Sequence, residues 1–359
     1  MRLKAKFKGM SDLDSTRVAV VGASGYSGAE LIRILLSHEL AELVCVTSRA
    51  ESGRKLSEVF PRFRGVERAE AIKFIEPTID LIIGSGAEVV FLALPHGVAA
   101  EYAGPLVDSG LKVIDLSADF RISDPEVYAD FYEADHPDPD RLSDAVYGLP
   151  EIRPNEIAES KLVASPGCYP TSIILPLIPI LQEGLIDDSS IHVVSMSGTS
   201  GAGKKADAAL LFAECNESVR PYSVPKHRHL SEIEQELSLA AGNNVTISFT
   251  PVLVPVTAGI CSIIYATSRD GSRNDDVKGA LENKYSEAPF VRLLGESSPP
   301  DTKNVTQTNF IDISWSYDKR SDRFILMSAE DNLIKGASGQ AIQSFNLMCG
   351  FDQTTGLVI

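Results

Sequence analysis

Arg17–Val21 reads R-V-A-V-V, a strand-length apolar run, and Gly22-Ala23-Ser24-Gly25-Tyr26-Ser27-Gly28 follows it without a spacer. Ala29–His38 comes next, with Leu31, Ile34 and Leu35 at helical spacing. Strand, glycine-rich turn and helix in that order leave the chain few folds. Small residues at the turn let the backbone approach a diphosphate, and the helix start offers free N–H groups and the positive end of its dipole. The G-x-x-G-x-x-G spacing differs by one residue from the commonest fingerprint. A second strand, Glu42–Thr47, close behind, makes the unit a dinucleotide-binding βαβ. Gly22, Ser24, Gly25, Tyr26, Ser27 and Gly28 are the expected cofactor residues.

The end of the second strand selects the cofactor. An NAD site would carry Asp or Glu there for the ribose hydroxyls, whereas this chain has Thr47-Ser48-Arg49. Ser48 and Arg49 suit a 2′-phosphate, so NADP is expected over NAD. The plain alternative is that Arg49 is an ordinary loop arginine.

The alternation continues with a strand at Glu88–Leu94, a helix at Val98–Ser109 and a strand at Lys112–Leu116. That order predicts a doubly wound parallel sheet, an α/β fold whose strand C-termini face the ligand. Pro95 falls on one such end and is assigned to the cofactor. His96 beside it either contacts a ligand or is a hydrogen-bonded loop histidine. Ser117-Ala118-Asp119-Phe120-Arg121 falls on another.

After Pro170 the pattern becomes α+β. Ile191–Met196, Val245–Pro251, Gly259–Thr267, Ile311–Tyr317 and Arg323–Ala329 are strand candidates, and Leu230–Ala241 and Asn274–Glu287 read as helices. Strands so spaced predict a mostly antiparallel sheet. A chain of 359 residues exceeds one ordinary core, so two domains are expected.

The chemistry centres on V-A-S-P-G-C-Y-P-T, residues 163–171. An apolar stretch of helical character follows, Thr171–Leu181. A turn entering a helix puts Cys168 where N–H groups and the dipole favour a thiolate, the nucleophile that acyl-phosphate chemistry needs. The segment alone fits a small buried cysteine equally well. Cys45, Cys215, Cys261 and Cys349 read as filler. Three further groups stand out. Ser197-Gly198-Thr199-Ser200-Gly201-Ala202-Gly203, followed by Lys204 and Lys205, suits a phosphate or a nicotinamide ring. His227-Arg228-His229 suits an anion with a titratable partner, a surface basic cluster being the competing reading. Asp331–Ala341 opens a helix running to about Met348, and its small residues allow close approach to a cofactor or to another helix.

The net charge of −16 argues against nucleic acid and requires local cations around any anionic ligand. Arg121, Lys204, Lys205 and Arg228 are those candidates, with Tyr147 as a hydrogen-bond donor. No apolar run approaches the roughly 18 residues of a membrane span. No secretory h-region follows the basic stretch Met1–Met10, which reads as a disordered arm. Five scattered cysteines, without C-x-x-C or metal-ligand spacing, fit a reducing cytoplasm and no metal.

Taken together, G-A-S-G-Y-S-G-A-E-L (22–31), S-A-D-F-R (117–121), Y-G-L-P-E (147–151), P-G-C-Y-P-T (166–171), S-G-T-S-G-A-G (197–203), H-R-H (227–229) and N-L-I-K-G-A-S-G-Q-A (332–341) resemble the N-acetyl-γ-glutamyl-phosphate reductase family. The resemblance runs from about Arg17 to Leu357. It implies a glyceraldehyde-3-phosphate-dehydrogenase-like fold. Residues 15–167 with 332–359 would form the NADP domain, and 168–331 the catalytic and dimerisation domain. It implies NADPH reduction of an acyl phosphate to an aldehyde in arginine biosynthesis, by a homodimer or homotetramer. Cys168 would be the nucleophile and His229 the acid/base, with His227 as the alternative. Ser197, Gly198, Ser200, Gly201 and Asn332 would border the nicotinamide.

Four positions depart from the family pattern: Ser165 for Asn, Met196 for Lys, Val252 for His and Ala258 for Arg. Ser165 borders the nucleophile and is assigned to the substrate. Val252 and Ala258 are expected at the substrate pocket or a subunit interface. These departures keep three alternatives open: an aspartyl-phosphate reductase, a reductase of a carrier-bound aminoadipyl phosphate, and a non-catalytic NADP-binding regulator.

Overall fold

The computed structural model describes residues 15–204 and 206–358. The arm Met1–Met10 and Lys205, one of the expected substrate cations, lie outside the described residues. Seven strands, β1 (Thr16–Val21), β2 (Ala41–Thr47), β3 (Phe74–Ile75), β4 (Val89–Leu92), β5 (Lys112–Asp115), β6 (Ala145–Tyr147) and β7 (Leu162–Ala164), form one sheet. Its order is β3-β2-β1-β4-β5-β7-β6 and every pair is parallel. Val18–Val21 and Val89–Leu92 are buried on both faces, which is why they read as unbroken apolar runs. The chain winds outward from β1 to β3, returns to β4 beside β1, and then winds the other way. That reversal leaves a crevice beyond the C-terminal ends of β1 and β4. The first helix spans Tyr26–Ser37, so it starts inside the glycine-rich turn, three residues before the expected Ala29.

The second sheet contains β8 (His192–Ser197), β9 (Arg220–Pro221), β10 (Ser248–Leu253), β11 (Ile260–Thr267), β12 (Val291–Glu296), β13 (Ile311–Asp318) and β14 (Arg323–Glu330). The order is β12-β13-β14-β11-β8-β10-β9, antiparallel except for β8/β10 and β12/β13. Strands β9 and β12 were not anticipated. The first is two residues long, and V-R-L-L-G-E of the second has neither an apolar run nor alternation.

Helix Cys168–Gln182 lies against the inner face of this sheet, beside helices His229–Ala241 and Asn274–Tyr285. Thirteen of its fifteen residues are buried, so it is apolar all round. Pro176 and Pro179 lie within it and lack the N–H groups that would bond the carbonyls of Ser172 and Leu175. Hydroxyls replace them. Ser328 Oγ of β14 donates to Ser172 O at 2.6 Å, and Tyr285 Oη donates to Leu175 O at 2.7 Å. The prolines therefore tie the helix sideways to its neighbours.

After Asn332 the chain returns to the first sheet. A π-helical turn, Ile334–Ser338, leads into helix Gly339–Met348. There Ala341, Ile342, Phe345 and Met348 join a core with Val18, Val20, Leu31 and Phe91. No helix among the described residues is long and apolar enough to cross a membrane.

Tyr285→Phe keeps the packing but leaves the Leu175 carbonyl buried without a donor. It is expected to cost about 1–3 kcal/mol, measured as a lower urea midpoint at unchanged slope.

Candidate active site

A cleft of about 680 Å³ opens at the β1/β4 crevice and runs to Cys168. Its floor at one end is the glycine-rich turn. Gly22 has φ +77°, and a Cβ there would sit 2.4 Å from the Ala93 carbonyl oxygen, so only glycine fits. Gly25 caps the first helix without a side-chain hydrogen bond, and no acid lies in the first turn. The N–H groups of Tyr26, Ser27 and Gly28 in the first turn are thus free for an anion. Ser24 Oγ lies 3.0 Å from Ser48 Oγ, and Arg49 is exposed, with no hydrogen bond or ion pair to the described residues. Pro95, Ser200, Gly201 and Asn332 line the same cleft. Asn332 accepts from Gly259 N at 2.7 Å and donates to Ser200 Oγ at 3.0 Å, which fixes the 197–203 turn against β11.

At the far end, Gly167 caps helix Cys168–Gln182. A Cβ on Gly167 would lie 2.7 Å from both Cε1 and Nε2 of His229 and 3.0 Å from an Arg121 nitrogen. The glycine of P-G-C is required because an imidazole and a guanidinium rest on it. Arg121 is buried and donates to Ser165 O at 2.7 Å and Leu116 O at 2.8 Å. Glu232, fully buried one turn after His229, gathers this corner. It accepts from Gly167 N at 2.9 Å and Tyr147 Oη at 2.7 Å, and stands 3.4 Å from Arg121. Burial raises its carboxyl above the usual range, with Arg121 opposing. Sequence reasoning missed Glu232, although it falls on the apolar stripe of Leu230, Ile233 and Leu237.

The electrostatics at Cys168 run against the expected thiolate. Cys168 lines the cleft, but burial pushes its thiol up to about 12. The Tyr169 N–H and Arg121 pull the other way and do not win. His229 is held well below its ordinary value by burial, then by His227, Arg121 and Arg228. The resting pair is a neutral thiol beside a neutral imidazole. The His229 ring reaches the cleft and its buried Nδ1 has no partner among the described residues. His227 sits apart. Its Nδ1 accepts from His229 N at 3.1 Å, and its ring packs against Tyr169, Tyr222 and Phe249. Burial, then Arg228, brings it down to about 4.

Several expected contacts lie elsewhere. Tyr147 is spent on Glu232 and does not reach the cleft, nor does Ser165, whose buried Oγ has no partner among the described residues. Lys204 is in the cleft but at the cofactor end, 3.3 Å from Ser24 O. Arg228 is exposed outside it, 3.0 Å from His96 Nε2 and over the Tyr132 ring. Ser197 and Gly198 lie behind the lining, Gly198 against Thr257 and Ala258. Met196 and Val252 pair with each other on the half-exposed outer side of β8 and β10. None of Ser165, Met196, Val252 and Ala258 lines the cleft.

Comparisons with known proteins agree with this layout. Residues 17–160 match the family model described as semialdehyde dehydrogenase, NAD binding domain, and residues 168–332 that of the semialdehyde dehydrogenase dimerisation domain. N-acetyl-gamma-glutamyl-phosphate reductase of Akkermansia muciniphila is 59% identical over 96% of this chain and 99% of its own length. That of Citrifermentans bemidjiense is 49% identical over 95% and 97%. Among solved structures, aspartate semialdehyde dehydrogenase II from Vibrio cholerae superposes with a TM-score of 0.71 at 17% identity, covering 94% of this chain and 99% of the other. Aspartate semialdehyde dehydrogenase from Candida albicans does so at 0.66 with 17% identity, covering 94% and 99%. At these identities the superpositions speak for the fold.

Glu232→Ala strips three buried donors of their acceptor, one of them cationic. It is expected to destabilise the protein by about 3–5 kcal/mol, seen as a fall in the denaturant midpoint.

Proposed function

Since the chain belongs to the N-acetyl-γ-glutamyl-phosphate reductase family, we propose that it reduces N-acetyl-γ-glutamyl phosphate to N-acetylglutamate 5-semialdehyde, releasing phosphate, in arginine biosynthesis. The observation that carries this reading is one cleft with two equipped ends. At one end is an uncapped helix start behind Gly22–Gly25, and at the other Cys168 and His229 both line the cleft, the His229 ring resting on Gly167.

In this reading His229 takes the Cys168 proton as the sulfur bonds to the acyl carbon. The carbon–oxygen bond to phosphate breaks, phosphate leaves with the electron pair, and a thioester remains on Cys168. When bound, a reduced nicotinamide supplies the hydride that the thioester carbon accepts. His229, now cationic, gives its proton to the resulting oxyanion. It takes that proton back as the carbon–sulfur bond breaks, and returns it to the sulfur. Proton transfer by a placed group of this kind contributes roughly 10²–10⁴-fold. The Tyr169 N–H and Arg121 supply positive potential where the oxyanion and phosphate develop.

The reductant we propose is NADPH. Ser24–Gly28 would hold the diphosphate, and Ser48, Arg49 and Lys204 would face the ribose phosphate side, where β2 ends without an acid. We also assign a homodimer. The outer face of the second sheet leaves Val194, Cys261, Ile263, Tyr265, Ile325 and Met327 half-exposed or exposed, a contiguous apolar surface suited to a second copy. The five free cysteines fit the reducing cytoplasm.

Purified protein is expected to reduce NADP, and NAD far less, when given N-acetylglutamate semialdehyde and phosphate. Cys168→Ala should abolish that turnover while NADPH titration stays intact; turnover that survives would remove Cys168 from the role. Arg49→Glu should weaken NADPH binding at least about tenfold and leave NADH binding nearly unchanged. Light scattering should give twice the 38.7 kDa of the chain; the mass of a single chain would sink the dimer.

A further inference from the structure

Glu330 closes β14 and is fully buried. In register it lies opposite Ile260 of β11 and Ile311 of β13, both also fully buried. A carboxyl therefore stands where the pattern of the sheet asks for an aliphatic side chain. Ser328, two residues earlier on the same face, bonds to Ser172 of the central helix, so Glu330 points to the side that holds that helix. Gly336 locates it more closely. A Cβ built there would be 2.7 Å from Cys168 Cβ and 2.9 Å from Glu330 Oε1. Cys168 and the carboxyl face each other across a residue that has no side chain. Neither oxygen of Glu330 has a hydrogen-bond partner among the described residues.

The charges around it do not favour an anion. Lys335 is the cation that acts on it, but its Nζ is bound to Glu151 Oε1 at 2.6 Å and Gln343 Oε1 at 2.9 Å. Asp331 accepts from Leu333, Ile334 and Gln307 N–H groups and, like Glu151, adds negative charge. On the side of Cys168, Arg121 and Glu232 are engaged with each other. Burial holds the Glu330 carboxyl well above the ordinary range, Lys335 opposing and Asp331 and Glu151 adding to it. Unpaired buried charges are avoided, whereas a neutral acid has one O–H to place.

We propose that Glu330 is a protonated carboxylic acid whose unengaged O–H turns to the Cys168 sulfur when the thiolate forms, a positioning residue that holds the thiolate as it forms and as it leaves. The proposal rests on Cys168 being the nucleophile. As an anion Glu330 would do the reverse, repelling the thiolate, so the sign of its effect decides the matter.

The test is the pH dependence of iodoacetamide alkylation of Cys168, followed on the labelled peptide by mass spectrometry so that Cys45, Cys215, Cys261 and Cys349 do not contribute. Glu330→Gln keeps a neutral donor and should hold the midpoint within about half a unit. Glu330→Leu loses the donor and should raise it by about one unit or more, making alkylation at pH 7 about tenfold slower. A difference infrared spectrum of alkylated against free protein should show a protonated carboxyl band that shifts in the native chain and is missing in Glu330→Gln. This arm decides the question if Glu330→Leu does not fold. A midpoint that falls in both variants would make Glu330 an anion, and one unchanged in both would uncouple it from Cys168. Either result, or the absence of the band, overturns the proposal. Alkylation reads Cys168 without turnover, so failure of the proposed reaction would leave this result standing.

Discussion

The active-site corner hangs on the carboxyl of Glu232. It is fully buried, and a buried carboxyl is tolerated only where donors meet it. Three come from distant parts of the chain: the end of β6 through Tyr147, the loop after β5 through Arg121, and the P-G-C turn through Gly167. Because the Gly167 N–H is held there, the first turn of the Cys168 helix has one position. Because His229 precedes Glu232 by one turn on the same helix, its ring comes to rest on Gly167. One interaction thus sets the Cys168 turn, the His229 imidazole and the Arg121 cation relative to each other. It reaches across both sheets, since Tyr147 and Arg121 belong to the first and Glu232 to the helices of the second.

The central helix is held by a related device one to two turns further along. Two prolines would ordinarily weaken a helix by removing donors. Here the freed carbonyls are bonded by Ser328 and Tyr285. A helix with a complete internal ladder could slide along an apolar sheet at little cost. One with two carbonyls answered from neighbouring elements has a preferred register, which its N-terminal cysteine inherits.

These features explain what could be read from the sequence. The strand–turn–helix of 17–38, the second strand and the loop after β4 were legible because glycine, proline and unbroken apolar runs report local backbone and burial directly. Five strands of the second sheet were visible for the same reason, within two or three residues of their ends. The short β3, β6, β7 and β9 carry no period, and β12 is too polar. The site was legible where a motif needs a small residue, as at Gly22 and Gly167, and where P-G-C sets Cys168 at the start of a helix that opens on the cleft. It was not legible where a long side chain chooses between partners. Tyr147, Lys204 and Arg228 were read as facing substrate because they are polar and near the motifs. They turn instead to Glu232, Ser24 O and His96, choices settled by tertiary contacts. Glu232 and Glu330 were missed for the opposite reason: an acid is taken for a solvated residue unless the apolar period around it is weighed more heavily than its charge.

The expectation at Cys168 failed instructively. A helix N-terminus does favour a thiolate, but its effect is confined to the first turn and is worth about 0.3–1 kcal/mol at an exposed site. The cost of removing a charge from water is larger, and at Cys168 it prevails. The same burial that raises the thiol lowers His229, so the two shifts act in concert. Both shifts favour the neutral forms, and in the proposed reaction one proton transfer would create both the nucleophile and the acid. In the proposed reaction that charge separation would be most favourable once an anionic acyl phosphate had entered beside Arg121 and the sulfur had begun to bond. In the proposed reaction such an arrangement would keep the cysteine unreactive until substrate is present, which a standing thiolate would not do.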